Sequence, residues 1–201
     1  MMNKKLEKQL IEEVKKDPDS LEHIEEQTEA ICLEAVRKNG YALKYVKDQT
    51  EKVCLEALKS YGYGLEFVKN KTEKICLAAL KENGYAIRLI KDQTEELCLE
   101  AVKTNPYALQ YVKDQTKEVC LQALKNDFRS ICYADITKRN IALVVLNVSI
   151  KRKYKDRKLL TEIIKTFSED KEVVDFYTKR KLWKHVDFST LNNLVEYSMV
   201  T

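Results

Sequence analysis

The chain has 201 residues, 44% apolar and 34% charged, with a mean hydropathy of −0.46. This excludes wholesale disorder and predicts a soluble globular protein of one or two domains. Its formal charge of +4 is unevenly spread: residues 1–128 hold 21 Lys/Arg against 23 Asp/Glu, and residues 129–201 hold 15 against 9, so the basic character belongs to the last third.

The chain opens Met1-Met2-Asn3-Lys4-Lys5 and runs into mixed charge without the apolar stretch of a signal peptide. The longest apolar run, Ile141 to Leu146, falls far short of the roughly 20 residues of a membrane span. An intracellular location is expected, in the cytoplasm of a cell or host cell or in a nucleus. Residues 1–31 read as a divergent capping repeat, in which Pro18 precedes Gly40 by 22 and Leu10 stands where later units have cysteine.

A 22-residue period then dominates residues 32–128. Cysteine recurs at Cys32, Cys54, Cys76, Cys98 and Cys120, each followed by leucine and, three positions after the cysteine, by Ala35, Ala57, Ala79, Ala101 or Ala123. A strict period of this size marks stacked repeats in which each unit buries its apolar face on its neighbours. Each unit predicts two short helices. In the first, Val53, Cys54, Leu55, Ala57 and Leu58 share one apolar arc, with a start signal at Asp48 and Glu51 and a stop at Gly62. Gly40 and Gly84 mark the same stop, and Pro106 replaces them in a later unit. The second helix, about two turns, carries Tyr41, Ala42, Leu43, Tyr45 and Val46, and it is too short to hold without stacking. Amphipathic 22-residue units also occur in lipid-surface proteins, but breaks in every unit and arcs wide enough for two neighbours favour the stack.

After Phe128 the sequence period fades. Residues 129–201 read as a basic, mostly helical C-terminal domain, with a segment at Asn140–Ile150 that suits a buried helix or a strand. The predicted fold is all-α: an α-solenoid of short helix-turn-helix repeats followed by a small helical C-terminal domain.

The recurring pattern Cys-Leu-x-Ala-[Val/Leu]-[Lys/Arg]-x-x-[Gly/Pro]-Tyr-[Ala/Gly]-[Leu/Ile]-x-[Tyr/Phe/Leu]-[Val/Ile]-Lys-[Asp/Asn]-x-Thr resembles an uncharacterised short-repeat family, a domain of unknown function abundant in giant DNA viruses of amoebae such as mimivirus and found in some bacteria. The resemblance spans about residues 10–128. It implies a repeat fold and a viral or host-interacting setting, and it supplies no catalytic residue.

Catalytic signatures are scarce. Neither His23 nor His185 lies in a nucleophile, zinc or phosphate-binding motif, the four glycines form no phosphate loop, and the cysteines lack zinc spacing. No enzymatic activity, cofactor or metal is expected, and the cysteines read as reduced, buried, small apolar residues. Adjacent acids such as Glu12 with Glu13 and Glu95 with Glu96 read as solvated helix faces. One basic residue closes each first helix (Arg37, Lys59, Lys81, Lys103, Lys125) and another each second helix (Lys47, Lys69, Lys91, Lys113), which suits macrodipole complementarity or a positive stripe for an acidic partner. The tyrosines read mainly as core residues with their hydroxyls at the edge.

Two positions change charge freely within the fixed frame: Lys44, Glu66, Arg88 and Gln110 at one, and Lys52, Lys74, Glu96 and Glu118 at the other. The first set is the candidate partner-binding surface. The expected function is a non-enzymatic repeat scaffold for protein–protein interaction. A nucleic-acid-binding role through Lys151, Arg152, Lys153, Lys155, Arg157 and Lys158 is the alternative, and an enzyme hidden in residues 129–201 is the third.

Overall fold

The computed structural model describes residues 3–138, together with Ile141, Thr161 and Thr166. The predicted all-α solenoid is present. Six α-helices, α1 (Lys4–Lys16), α2 (Glu29–Lys38), α3 (Glu51–Leu58), α4 (Glu73–Glu82), α5 (Glu95–Thr104) and α6 (Lys117–Asn126), alternate with six-residue 3-10 helices. Those shorter helices span Pro18–His23, Gly40–Tyr45, Gly62–Phe67, Gly84–Leu89, Pro106–Tyr111 and Phe128–Tyr133. No strand occurs among the described residues. The chain forms two compact units, residues 1–114 and 115–201. The expected helical character of residues 139–201 and the choice between helix and strand for 140–150 lie, apart from isolated positions, outside the described residues.

The second element of each repeat is a 3-10 helix rather than the α-helix its apolar wheel suggests. With only six residues, a ladder of bonds to the third preceding residue closes sooner than an α-helical one. Ala42 N donates to Asn39 O at 2.9 Å and Val46 N to Leu43 O at 3.2 Å. Gly40, Leu43 and Val46, three apart, are buried, as is Ala42.

Helix boundaries also differ from the sequence reading. The N-cap is the threonine itself, Thr28, Thr50, Thr72, Thr94 or Thr116, whose hydroxyl accepts from the backbone N–H three residues on, as at Val53 (3.3 Å). Asp48 lies two residues earlier and does not cap. Thr28, Thr50 and Thr94 also donate back to a glutamate 21 residues earlier, at Glu7 (2.7 Å), Glu29 (3.1 Å) and Glu73 (3.3 Å).

At the other end the stop is Asn, not Gly. Asn39, Asn83 and Asn105 sit extended, with φ between −150° and −143°, and donate their N–H to Ala35, Ala79 and Ala101. The same asparagine side chain then opens the 3-10 helix by accepting from Tyr41, Tyr85 or Tyr107 N at 3.0–3.1 Å. One residue thus ends one helix and starts the next. Tyr61 replaces it in the third unit and supplies no side-chain cap, and α3 there is two residues shorter than α2, α4 and α5.

Glycine serves close approach instead. A Cβ on Gly40 would lie 2.4 Å from Ala57 O and 2.8 Å from Tyr61 Cβ, and one on Gly84 would lie 2.3 Å from Ala101 O and 2.9 Å from Asn105 Cβ. The 3-10 helices that begin at Gly40, Gly62 and Gly84 therefore start directly against the C-terminal turn of the next α-helix. The matching small residues are Ala35, Ala57, Ala79 and Ala101, all fully buried.

The repeat outlasts its sequence signature. Within the second unit, Phe128–Tyr133 repeats the 3-10 helix, Asp127 Oδ1 accepts from Arg129 N at 2.9 Å in the asparagine's place, and Ser130 fills the alanine slot with its hydroxyl donating to Asp127 O at 2.8 Å. The backbone pattern thus continues past Phe128, where the sequence period fades.

The five repeat cysteines are buried free thiols, and Cys132 is exposed. Burial pushes the thiols up, to about 11 at Cys32 and Cys98 and about 12 at Cys120, with Asp48 adding at Cys32 and Asp114 at Cys98. A thiol reagent at pH 8 is therefore expected to label Cys132 fast and Cys32, Cys54, Cys76, Cys98 and Cys120 only on unfolding, as peptide mapping of a time course will read. The raised thiols contribute stability that is intact below their ordinary value near 9 and is lost as pH rises toward 11–12.

Candidate interaction face

The 3-10 helices of the first compact unit bring Lys44, Glu66, Arg88 and Gln110 to one register, the fifth residue of each turn pair. Glu66, Arg88 and Gln110 are exposed and Lys44 is half-buried. Since the buried positions of these helices are Gly40, Ala42 and Leu43 and their equivalents, the fifth residue must face outward.

Aromatic rings surround these side chains. Tyr41 meets Phe67 edge-on with centroids 5.2 Å apart, and Tyr85 meets Tyr111 in the same way at 5.8 Å. Both contacts join consecutive 3-10 helices. Tyr61, at the position asparagine holds elsewhere, adds contacts to Tyr41 at 5.9 Å and Tyr63 at 6.4 Å. Lys44 Nζ stands 4.0 Å over Tyr41 and 4.3 Å over Tyr45, while Arg88 reaches back over Tyr63 at 5.1 Å. Tyr41 and Tyr111 keep 37% and 36% of their surface exposed, so the rings are not the enclosed core residues that the apolar wheel implied. The wheel assumed 100° per residue, and at the 120° of a 3-10 helix Tyr41 leaves the buried stripe.

The lysine rows lie at the surface but are largely engaged within the chain. At the end of the 3-10 helices, Lys47 Nζ donates to Ile24 O and Glu25 O at 3.0 Å, Lys69 Nζ to Lys47 O at 2.7 Å and Lys113 Nζ to Lys91 O at 2.7 Å. Each ammonium is spent on backbone carbonyls one unit back. On the α-helices, Arg37 pairs with Glu56 at 3.3 Å, Lys59 with Glu56 at 2.7 Å and Lys103 with Glu100 at 3.7 Å. Lys59, with Arg37 adding to it, holds the Glu56 carboxyl below its usual range. Lys52 and Lys74, at the second variable position, pair with Glu29 and Glu51 of the preceding unit. The first variable position therefore has more claim to a partner than the second.

Sequence reasoning passed over the glutamines. Gln27 Nε2 donates to Leu21 O and Tyr45 O, both at 3.0 Å, while its Oε1 accepts from Lys47 N at 2.9 Å. Gln49, Gln93 and Gln115 repeat the bridge to the carbonyl 18 residues on (Phe67, Tyr111, Tyr133) and to the N–H 20 residues on (Lys69, Lys113, Asp135). The signal was present in the sequence, as Gln before Thr in the Gln-Thr pairs at 27–28, 49–50, 93–94 and 115–116.

His23 is exposed, and Lys151, Arg152, Lys153, Lys155, Arg157, Lys158 and His185 lie outside the described residues. Among the described residues, no three His, Cys, Asp or Glu side chains gather as metal ligands, and no helix is long and apolar enough to cross a membrane.

No curated protein and no solved structure matches the chain. Two stretches do match a protein family, each beginning at a capping threonine and spanning about two of the 22-residue units. Residues 28–72 and 94–137 are similar to a domain of unknown function, DUF4116.

Proposed function

We propose that the protein is a non-enzymatic scaffold that binds another protein along the row of 3-10 helices. The observation that carries this reading is the row of exposed and half-buried Tyr, Phe and Arg side chains, in contact across consecutive units, with Lys44, Glu66, Arg88 and Gln110 varying in charge along it. Tyrosine and arginine are the residues that most often dominate protein–protein binding energy, and a solenoid offers them on an extended face without a pocket. Rings already packed edge to edge lose little freedom on binding. An intracellular setting, and the viral or host-interacting context that the repeat resemblance implies, are part of the same proposal.

The test is affinity capture with the full chain and with a variant carrying Lys44→Glu and Arg88→Glu. The wild type is expected to retain a discrete protein, and the variant to lose it by about tenfold or more in affinity while keeping its thermal midpoint. Equal capture by both would refute the assignment of this face.

A further inference from the structure

Among the described units from Gln27 to Gln115, the glutamine bridge is missing at one place. The residue before Thr72 is Lys71, not glutamine, and its ammonium turns back onto Val68 O at 3.0 Å within its own loop. By the register of the other units, the groups left without the bridge are the Leu89 carbonyl, 18 residues on, and the Lys91 N–H, 20 residues on. The lysine clamp fails at the same junction: Lys47, Lys69 and Lys113 reach a carbonyl one unit back, and Lys91 does not. Cys76 likewise turns to Lys71 O at 3.9 Å, where Cys54 and Cys98 face a glutamine Oε1 at 4.0 Å. Leu89 and Lys91 lie in the segment between the two family matches, residues 73–93.

A cleft of about 420 Å³ opens there, lined by Lys71, Cys76, Leu89, Ile90, Lys91 and Leu97 among others. Its lining residues Leu89 and Lys91 stand in the register of the carbonyl and N–H that bind a carboxamide elsewhere in this same chain: Tyr45 O and Lys47 N take Gln27, and Tyr111 O and Lys113 N take Gln93. Leu89, Ile90 and Leu97 supply apolar wall for a short methylene stem. We propose that this cleft is a binding slot for a glutamine side chain brought by another polypeptide, whose carboxamide nitrogen donates to Leu89 O and whose oxygen accepts from Lys91 N. The slot is separate from the aromatic face and does not depend on that face binding a protein.

The test uses N-acetylglutamine amide as probe and amide chemical shifts of the full chain as readout. The expected result is a saturable shift at Lys91 at millimolar probe, about tenfold weaker with N-acetylnorvaline amide, which lacks the carboxamide. Lys71→Gln, which restores the residue found in neighbouring units, is expected to abolish the shift by filling the slot from within. Lys71→Met, which adds no amide, is expected to preserve it. The proposal is overturned if Lys91 does not respond, if the norvaline probe acts equally, or if the Lys71→Gln protein responds like the wild type.

Discussion

Gly84→Ala is expected to destabilise the stack by about 3 kcal/mol and to lower the thermal midpoint on the order of 10 °C. The added methyl meets backbone on both sides, Ala101 O at 2.3 Å and Asn105 N at 3.0 Å, and neither can swing away as a side-chain tip would. Relief requires the 3-10 helix to back off from α5, which opens the packing around Ala101. Gly64→Ala is the matched control. Its methyl finds Tyr61 and Leu58 at ordinary contact distances of 3.4 and 3.5 Å, and Ala42, Ala86 and Ala108 already occupy the same register. That change is expected to be neutral or to stabilise by about 0.5 kcal/mol through the unfolded chain. Thermal or urea unfolding of the two variants separates close approach from a general dislike of glycine replacement.

Gln93→Met is the second large effect, a loss of about 2–3 kcal/mol at nearly constant volume. The amide holds Ile87 O and Tyr111 O, each at 3.1 Å, and Lys113 N at 2.9 Å, so methionine removes three hydrogen bonds that tie one unit to the next. The exposed end of this bridge can rehydrate, which keeps the cost below that of a fully enclosed network. The reciprocal change, Lys71→Gln, should gain about 1–2 kcal/mol, because it supplies the amide that this junction lacks. Urea titrations of both variants against wild type check the sign and size of each.

The sequence made the repeat visible through a period that Cys-Leu-x-Ala repeats without error from Cys32 to Cys120, and burial of those cysteines and alanines follows directly from their spacing on an α-helical wheel. The same wheel misplaced the tyrosines. On the 100° wheel Tyr41 falls at the edge of the broad apolar arc that also holds Leu43 and Val46, whereas at 120° Gly40, Leu43 and Val46 coincide and Tyr41 falls on another stripe; six residues between breaks give no period from which to choose. Assigning the stop to glycine was a reasonable error of the same kind, since glycine follows the helix in three units; φ near −145° at Asn39, Asn83 and Asn105 shows that no left-handed residue is needed. The fading of the period after Phe128 misled for a different reason. Asp127 and Ser130 replace Asn and Ala with groups that make equivalent backbone bonds, so the conformation persists where identity does not.

The candidate face was partly legible. Variation at Lys44, Glu66, Arg88 and Gln110 within a fixed frame pointed to an outward register, and the structure places them so. The aromatic surround was not, because it depends on contacts between residues 26 apart, such as Tyr41 with Phe67, and on the 3-10 geometry that turns them outward. The spacing of the lysine rows suits macrodipole complementarity or a positive stripe, whereas Lys47, Lys69 and Lys113 donate to backbone carbonyls one unit back. A sequence gives the spacing of such ammonium groups but not the carbonyls within their reach.

The central claim is that the row of 3-10 helices is the face that meets a partner, and photocrosslinking from defined positions tests it most directly. A benzophenone amino acid is placed at Glu66 or Gln110 on that face, and at Lys81 or Lys103 on the exposed α-helical side. Irradiation in the cell that makes the protein is expected to yield the same discrete protein adduct from positions 66 and 110 and none from positions 81 and 103. Adducts only from positions 81 and 103, or the same diffuse background from all four, would contradict it.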